Sequence, residues 1–134
     1  MTEPLRIQFV GDLILDEPNP DSLFELSSDQ LRKCDILVGH VEVPHTARGS
    51  EMHFDVPAPS SNPAHLSALQ RAGFHAATLA GNHIADAGPN GVEDTRAELQ
   101  RLGIAAAGAG NESERGQATR IAGEPGIALW NPQL

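Results

Sequence analysis

Residues 74–107 read FHAATLAGNHIADAGPNGVEDTRAELQRLGIAAA, and this stretch decides the fold class. The largely apolar segment at residues 74–79 is typical of a buried strand. After a loop rich in Gly and Pro, apolar residues recur at helical spacing until Gly103, and glycine commonly ends helices. A second apolar run at residues 104–107 predicts another strand. This order predicts two parallel strands joined by a helical crossover.

The same alternation extends toward the N-terminus. Residues 5–10 alternate between apolar and polar side chains and end on two apolar residues, and residues 36–38 are a short apolar run. Both patterns predict earlier strands. The sequence at 19–21 offers a helix cap, and apolar residues recur at roughly helical spacing from there to Lys33, which predicts a helix or a broken pair of helical turns. Asn62 before a proline predicts the start of a helix that Gly73 ends. Alternating strands and helices are typical of a parallel sheet covered by helices. We therefore predict a layered α/β fold with a mostly parallel sheet flanked by helices.

The C-terminal part of the chain has a different pattern. Residues 118–122 and 126–130 predict two strands of an antiparallel hairpin, because the Gly and Pro at residues 123–125 favour a turn. Residues 112–116 predict one helical turn. The 134 residues contain no repeat and no shift in composition, so we predict a single domain over residues 1–134.

Charge and composition exclude several classes of function. Nine Lys and Arg against 18 Asp and Glu give a net charge of −9, whereas a nucleic-acid-binding protein needs clustered basic residues to displace counterions. The start of the sequence lacks the basic and apolar segments of a secretory signal, and no apolar run is long enough to span a membrane. We therefore predict a cytoplasmic protein with no membrane segment and no nucleic-acid partner.

Polar side chains follow three of the predicted strands. Asp12 comes after the first strand, His40 and Glu42 lie at the end of the second, and Asn82 and His83 follow the third. The carboxyl ends of parallel strands meet at one edge of a sheet, so we expect these side chains to lie close together. Carboxylate, imidazole and amide groups suit Mn, Zn, Fe or Mg. The first four of these residues are therefore candidate ligands of a divalent metal ion.

Other interpretations of these residues remain open. Asp86 follows His83 by three residues and would orient its imidazole by accepting the second ring N–H, but it is equally compatible with a solvated loop acid. Taken singly, the other polar residues are compatible with turns or helix caps. The proline-rich segment 44–63 predicts a long loop, in and beside which His45 and His65 are expected to be mostly exposed.

Four segments resemble the CapA family of capsule-synthesis and poly-γ-glutamate biosynthesis proteins, in the order and spacing of that family. They are GDLILD (11–16), DILVGHVEVP (35–44), LQRAGFHAATLAGNHIADAGPNGVEDT (69–95) and LGIAAAGAG (102–110). The family fold is similar to that of the calcineurin-like metallophosphoesterases. The resemblance therefore implies a metal-dependent, phosphoesterase-type hydrolase with one or two divalent ions. A non-catalytic accessory protein of capsule or poly-γ-glutamate biosynthesis is the alternative, and a structural remnant without a ligand is a third.

The resemblance also implies roles for individual residues. Asp12 would be a metal ligand, Glu42 would belong to the second signature, and Asn82 would ligate a second ion. His83 would be the general acid that protonates the leaving oxygen, or it would stabilise the developing charge. Asp86 would belong to the loop after that histidine. The implied substrate is a phosphoester or an acidic polymer intermediate.

Two departures from the family pattern affect these expectations. The family usually has Asn where this chain has His40, which keeps a possible nitrogen ligand but changes its reach. Family members are also about twice as long, so the chain resembles their N-terminal half and is expected to be truncated at its C-terminus. The chain would then be a truncated gene product or a domain fragment, or a partner chain or second copy would complete the site.

Overall fold

The computed structural model describes residues 3–48, 59–111, 113–114, 117–121 and 126–131. Four parallel strands form one sheet in the order of the sequence, and two further strands pair antiparallel in a separate hairpin. The sheet comprises β1 (Ile7–Leu13), β2 (Ile36–Val41), β3 (Ala76–Thr78) and β4 (Ala105–Ala107), and the hairpin comprises β5 (Thr119–Ile121) and β6 (Ile127–Leu129). The predicted α/β architecture and C-terminal hairpin are confirmed. Residues 123–125 and most of the predicted turn at 112–116 lie outside the described residues.

The connections between the strands are helical, as the sequence predicts. They comprise a 3₁₀ turn at Pro20–Leu23, α1 (Ser28–Leu31), a 3₁₀ turn at Pro63–Leu66 that continues into α2 (Ser67–Ala72), and α3 (Gly88–Arg101). The 3₁₀ turn at Pro20–Leu23 and helix α1 are the broken pair of helical turns that the sequence predicts. In the described parts of the chain, no helix combines the length and apolar character needed to cross a membrane.

Helix α3 begins earlier than its apolar spacing predicts. Pro89 and Gly91, which the sequence favours as loop residues, lie in its first turn, where proline is tolerated because its missing N–H would have no helical partner. A Cβ on Gly91 would lie 2.8 Å from the Cβ of Ala87 and 3.1 Å from that of Pro44. Glycine at this position therefore lets α3 approach the segment that follows β2.

The sheet separates two apolar clusters. Leu37 and Val41 of β2 belong to the larger cluster, which includes side chains from all three helices. Ile36 and Val38 belong to the smaller cluster, together with Ile121 of the hairpin. Because neighbouring residues of a strand point to opposite faces, the helices cover one face of the sheet and the hairpin covers part of the other.

Candidate metal centre

Strand β1 carries Asp12 to the face on which His40 lies. The strand continues three residues beyond the predicted end at Val10, because β2 continues beside it to Val41. Val10 pairs with Gly39 and Asp12 pairs with His40, so the register shifts by one residue between them. Because side chains alternate with a period of two, this β-bulge moves Asp12 to the opposite face from the one that regular pairing would give it.

Three of the four predicted metal ligands come together at this edge of the sheet. The ligand atoms of Asp12, His40 and Glu42 all lie within 4.8 Å of one another, and His40 Nε2 lies 2.8 Å from Glu42 Oε2. The histidine and the glutamate are largely buried, while the aspartate is exposed. The cluster is therefore open to solvent on the side of Asp12.

The chemistry and the dimensions of this cluster fit a divalent cation. Two carboxylates and an imidazole are donors that Mn, Fe and Zn accept. Ligands at right angles around an ion, each about 2.1 Å from it, lie about 3 Å apart, which is close to the observed separation of His40 and Glu42. Three protein donors also leave positions for water or substrate, as in catalytic metal sites.

Gly81 leaves space beside the cluster. A Cβ at this position would lie 2.5 Å from His40 Nε2 and 2.9 Å from Glu42 Oε2. Any other residue would push these two ligand atoms away from their present positions. The sequence does not predict that Gly81 leaves space for these atoms, because a Gly-Asn pair is typical of an ordinary turn.

Thr78 is the second residue that sequence reasoning missed. Its Oγ1 lies 2.9 Å from His40 Nδ1, because β2 and β3 pair with these two residues side by side. The available signal was a single hydroxyl in an otherwise apolar strand. That signal does not reveal the partner, since the register between two strands is set by the folded sheet.

A family model described as bacterial capsule synthesis protein PGA_cap matches residues 6–130. The chain belongs to this capsule synthesis family. The match confirms the resemblance that the four sequence segments indicate, and it includes every residue of the cluster described above. No curated protein matches the chain.

The other predicted site residues of this capsule synthesis family member lie in the loop after β3. His83 Nδ1 is 2.8 Å from Asp86 Oδ2, which is the pairing that the three-residue spacing suggests. Asn82 is exposed between Gly81 and this pair. Metal ligation by Asn82 and acid catalysis by His83 remain predictions.

The segment after Glu42 is held against α3. The backbone N–H of His45 donates to Thr95 Oγ1 at 2.8 Å, and the Arg48 guanidinium forms an ion pair with Asp94 at 2.6 Å. Hydrogen bonding from Arg48 lowers the pKa of the Asp94 carboxyl below its usual value. These contacts hold the segment beyond the cluster against α3.

Proposed function

We propose that this member of the capsule synthesis family is a metal-dependent, phosphoesterase-type hydrolase domain. Its substrate would be a phosphoester or an acidic polymer intermediate. The observation that carries the proposal is the approach of Asp12, His40 and Glu42 to within 4.8 Å of one another. A two-carboxylate and imidazole cluster that is open to solvent suits hydrolysis better than purely structural metal binding, since structural sites are closed.

In this proposal Asp12, His40 and Glu42 would hold one divalent ion, and Asn82 would contribute to the same ion or to a second one. The ion would polarise a phosphoryl oxygen and favour ionisation of bound water. It would also offset the repulsion between an anionic substrate and a chain with a net charge of −9. A partner chain or a second copy would add any donors that a second ion requires.

His83 is the proposed general acid. As the oxygen of water bonds to phosphorus, one proton of that water passes to solvent. The ester P–O bond breaks, and the leaving oxygen takes a proton from Nε2 of the imidazolium form of His83. Asp86 supports this role, because its carboxylate lies 2.8 Å from Nδ1 and holds a proton at that nitrogen. Nε2 is then the ring atom that exchanges a proton with the substrate.

Replacing Asp12 and Asn82 together by Ala tests the proposal. We expect the wild-type chain, purified without chelator, to contain Mn or Zn and to release p-nitrophenol from p-nitrophenyl phosphate. The double variant should lose both the metal and the activity, because a carboxylate and an amide donor are removed. Metal analysis and the rate of p-nitrophenol release measure these two effects.

Asp29→Ala is the matched control, because Asp29 is an exposed acid in the first turn of α1 and should affect neither the metal nor the rate. A double variant with an unchanged metal content would contradict the assignment of the ligands. A wild-type chain that binds metal but hydrolyses no phosphoester would contradict the hydrolytic function.

An accessory role without catalysis is the second candidate. It is favoured by one observation: among the described residues, Asp12, His40 and Glu42 form the one group of three acidic or histidine ligands, which is fewer donors than two ions require. In that case the protein would be cooperatively folded and free of metal, and it would bind another component of the capsule or poly-γ-glutamate machinery. Failure to fold cooperatively would instead favour a structural remnant.

A further inference from the structure

The imidazole of His40 is held at both of its nitrogens. Nε2 lies 2.8 Å from Glu42 Oε2, and Nδ1 lies 2.9 Å from Thr78 Oγ1. With Glu42 as a carboxylate and no metal bound, the neutral ring that fits both contacts carries its proton at Nε2, which donates to Oε2. In the neutral ring Nδ1 then accepts a hydrogen bond from the Thr78 hydroxyl.

A metal ion at Nε2 would reverse these roles. Ligation would use the lone pair of Nε2, so the neutral ring would carry its proton at Nδ1 instead. Nδ1–H then needs an acceptor. The Thr78 hydroxyl can serve as that acceptor after its hydrogen rotates away from the ring, because a hydroxyl both donates and accepts.

We infer that Thr78 is the positioning residue for the metal ligand His40. Its hydroxyl supports the ring in the metal-free and in the metal-bound tautomer, and it holds Nε2 in the space that Gly81 leaves open. The inference rests on the proposed function, because it assumes that Asp12, His40 and Glu42 hold an ion. Partners of this kind typically change metal affinity by about 10- to 100-fold.

Thr78→Val and Thr78→Ser separate the hydroxyl from the shape of the side chain. Metal-free protein is titrated with Co²⁺ and followed by visible absorption. We expect Thr78→Val to weaken binding at least about tenfold, and Thr78→Ser to restore affinity to within about threefold of wild type, since serine keeps the hydroxyl. Thr119→Val is the matched control, because it also removes a threonine hydroxyl, which in Thr119 of β5 donates to the Ala106 carbonyl of β4.

The ¹⁵N NMR spectrum of the His40 ring gives a second measurement. In the wild type we expect the proton at Nε2 without metal and at Nδ1 after addition of Zn²⁺. Thr78→Val should need more Zn²⁺ for the same change, while Thr78→Ser follows the wild type. If Thr78→Val does not fold, Thr78→Ala replaces it in both experiments.

The outcomes distinguish this inference from the proposed function. A wild-type chain that binds neither Co²⁺ nor Zn²⁺ overturns the metal centre and the role of Thr78 with it. A wild-type chain that binds them, beside a Thr78→Val variant of equal affinity, overturns the role of Thr78 alone. Equal weakening in Thr78→Ser and Thr78→Val also overturns it, because the hydroxyl would then not be the group that matters.

Discussion

At the scale of single residues, His45 shows most clearly how folding changes a side chain. The sequence predicts exposure, because His45 begins a proline-rich segment, and that prediction is wrong: the residue is 0% exposed. Its Nδ1–H donates to the Val43 carbonyl at 3.0 Å, while Nε2 is buried without a hydrogen-bond partner in the described structure. Burial lowers the pKa of His45 to about 4. The imidazole is therefore neutral in the folded protein at neutral pH.

The buried imidazole predicts a pH dependence of stability. In the unfolded chain His45 binds a proton with a pKa near 6.5, whereas the folded state binds it only near pH 4. The unfolding free energy should therefore fall as the pH drops through this window. Between pH 7 and pH 5, the unfolding free energy of His45→Gln should fall by roughly 2 kcal/mol less than that of wild type. Urea titrations at the two pH values measure this difference. Equal losses in the two proteins would show that another group causes the dependence.

At the scale of elements, the helix signals are the most reliable part of the sequence. Asn62 accepts a hydrogen bond from the Ala64 N–H at 3.0 Å, and Gly73 ends α2 with a φ of 93°. Both roles depend on local chemistry, namely a short side-chain acceptor and the absence of a Cβ. Strand ends are less predictable, as β1 shows, because pairing with a neighbour determines how far a strand continues.

The cap of the helical segment that leads into α2 can be tested directly. Asn62→Ala removes the side-chain acceptor of the Ala64 N–H, so we expect it to lower the unfolding free energy by about 1 kcal/mol. Asn62→Asp keeps an acceptor at the same position and should stay close to wild type. Urea unfolding of the two variants measures the difference, and equal stabilities would exclude a role for the cap.

At the scale of the whole molecule, the two faces of the sheet differ in how well they are covered. The helices bury Phe74, which is 5% exposed and packs against Phe24 with ring centroids 5.6 Å apart. On the other face the hairpin covers Ile36 and Val38, but Phe9 on the edge strand β1 remains 64% exposed. The stability of the described fold therefore depends mainly on the helical side.

A pair of phenylalanine variants tests this asymmetry. Phe74→Ala should lower the unfolding free energy by about 3–5 kcal/mol, because it leaves a cavity in the larger apolar cluster. Phe9→Ala should lower the unfolding free energy by less than about 1 kcal/mol, because most of that ring already contacts water. Chemical denaturation of both variants in the same buffer gives the comparison. Similar losses would show that the face around Phe9 is buried in solution.

The sequence alone determined the order of strands and helices, the helix ends at Asn62 and Gly73, and the arrival of Asp12, His40 and Glu42 at one edge of the sheet. These features follow from hydrophobic periodicity and local backbone chemistry, which act over a few neighbouring residues. Only the tertiary structure decided which face of the sheet Asp12 lies on and which side chain His40 contacts. The bulge in β1 and the pairing of His40 with Thr78 depend on strand register, which is set by the packing of the entire sheet.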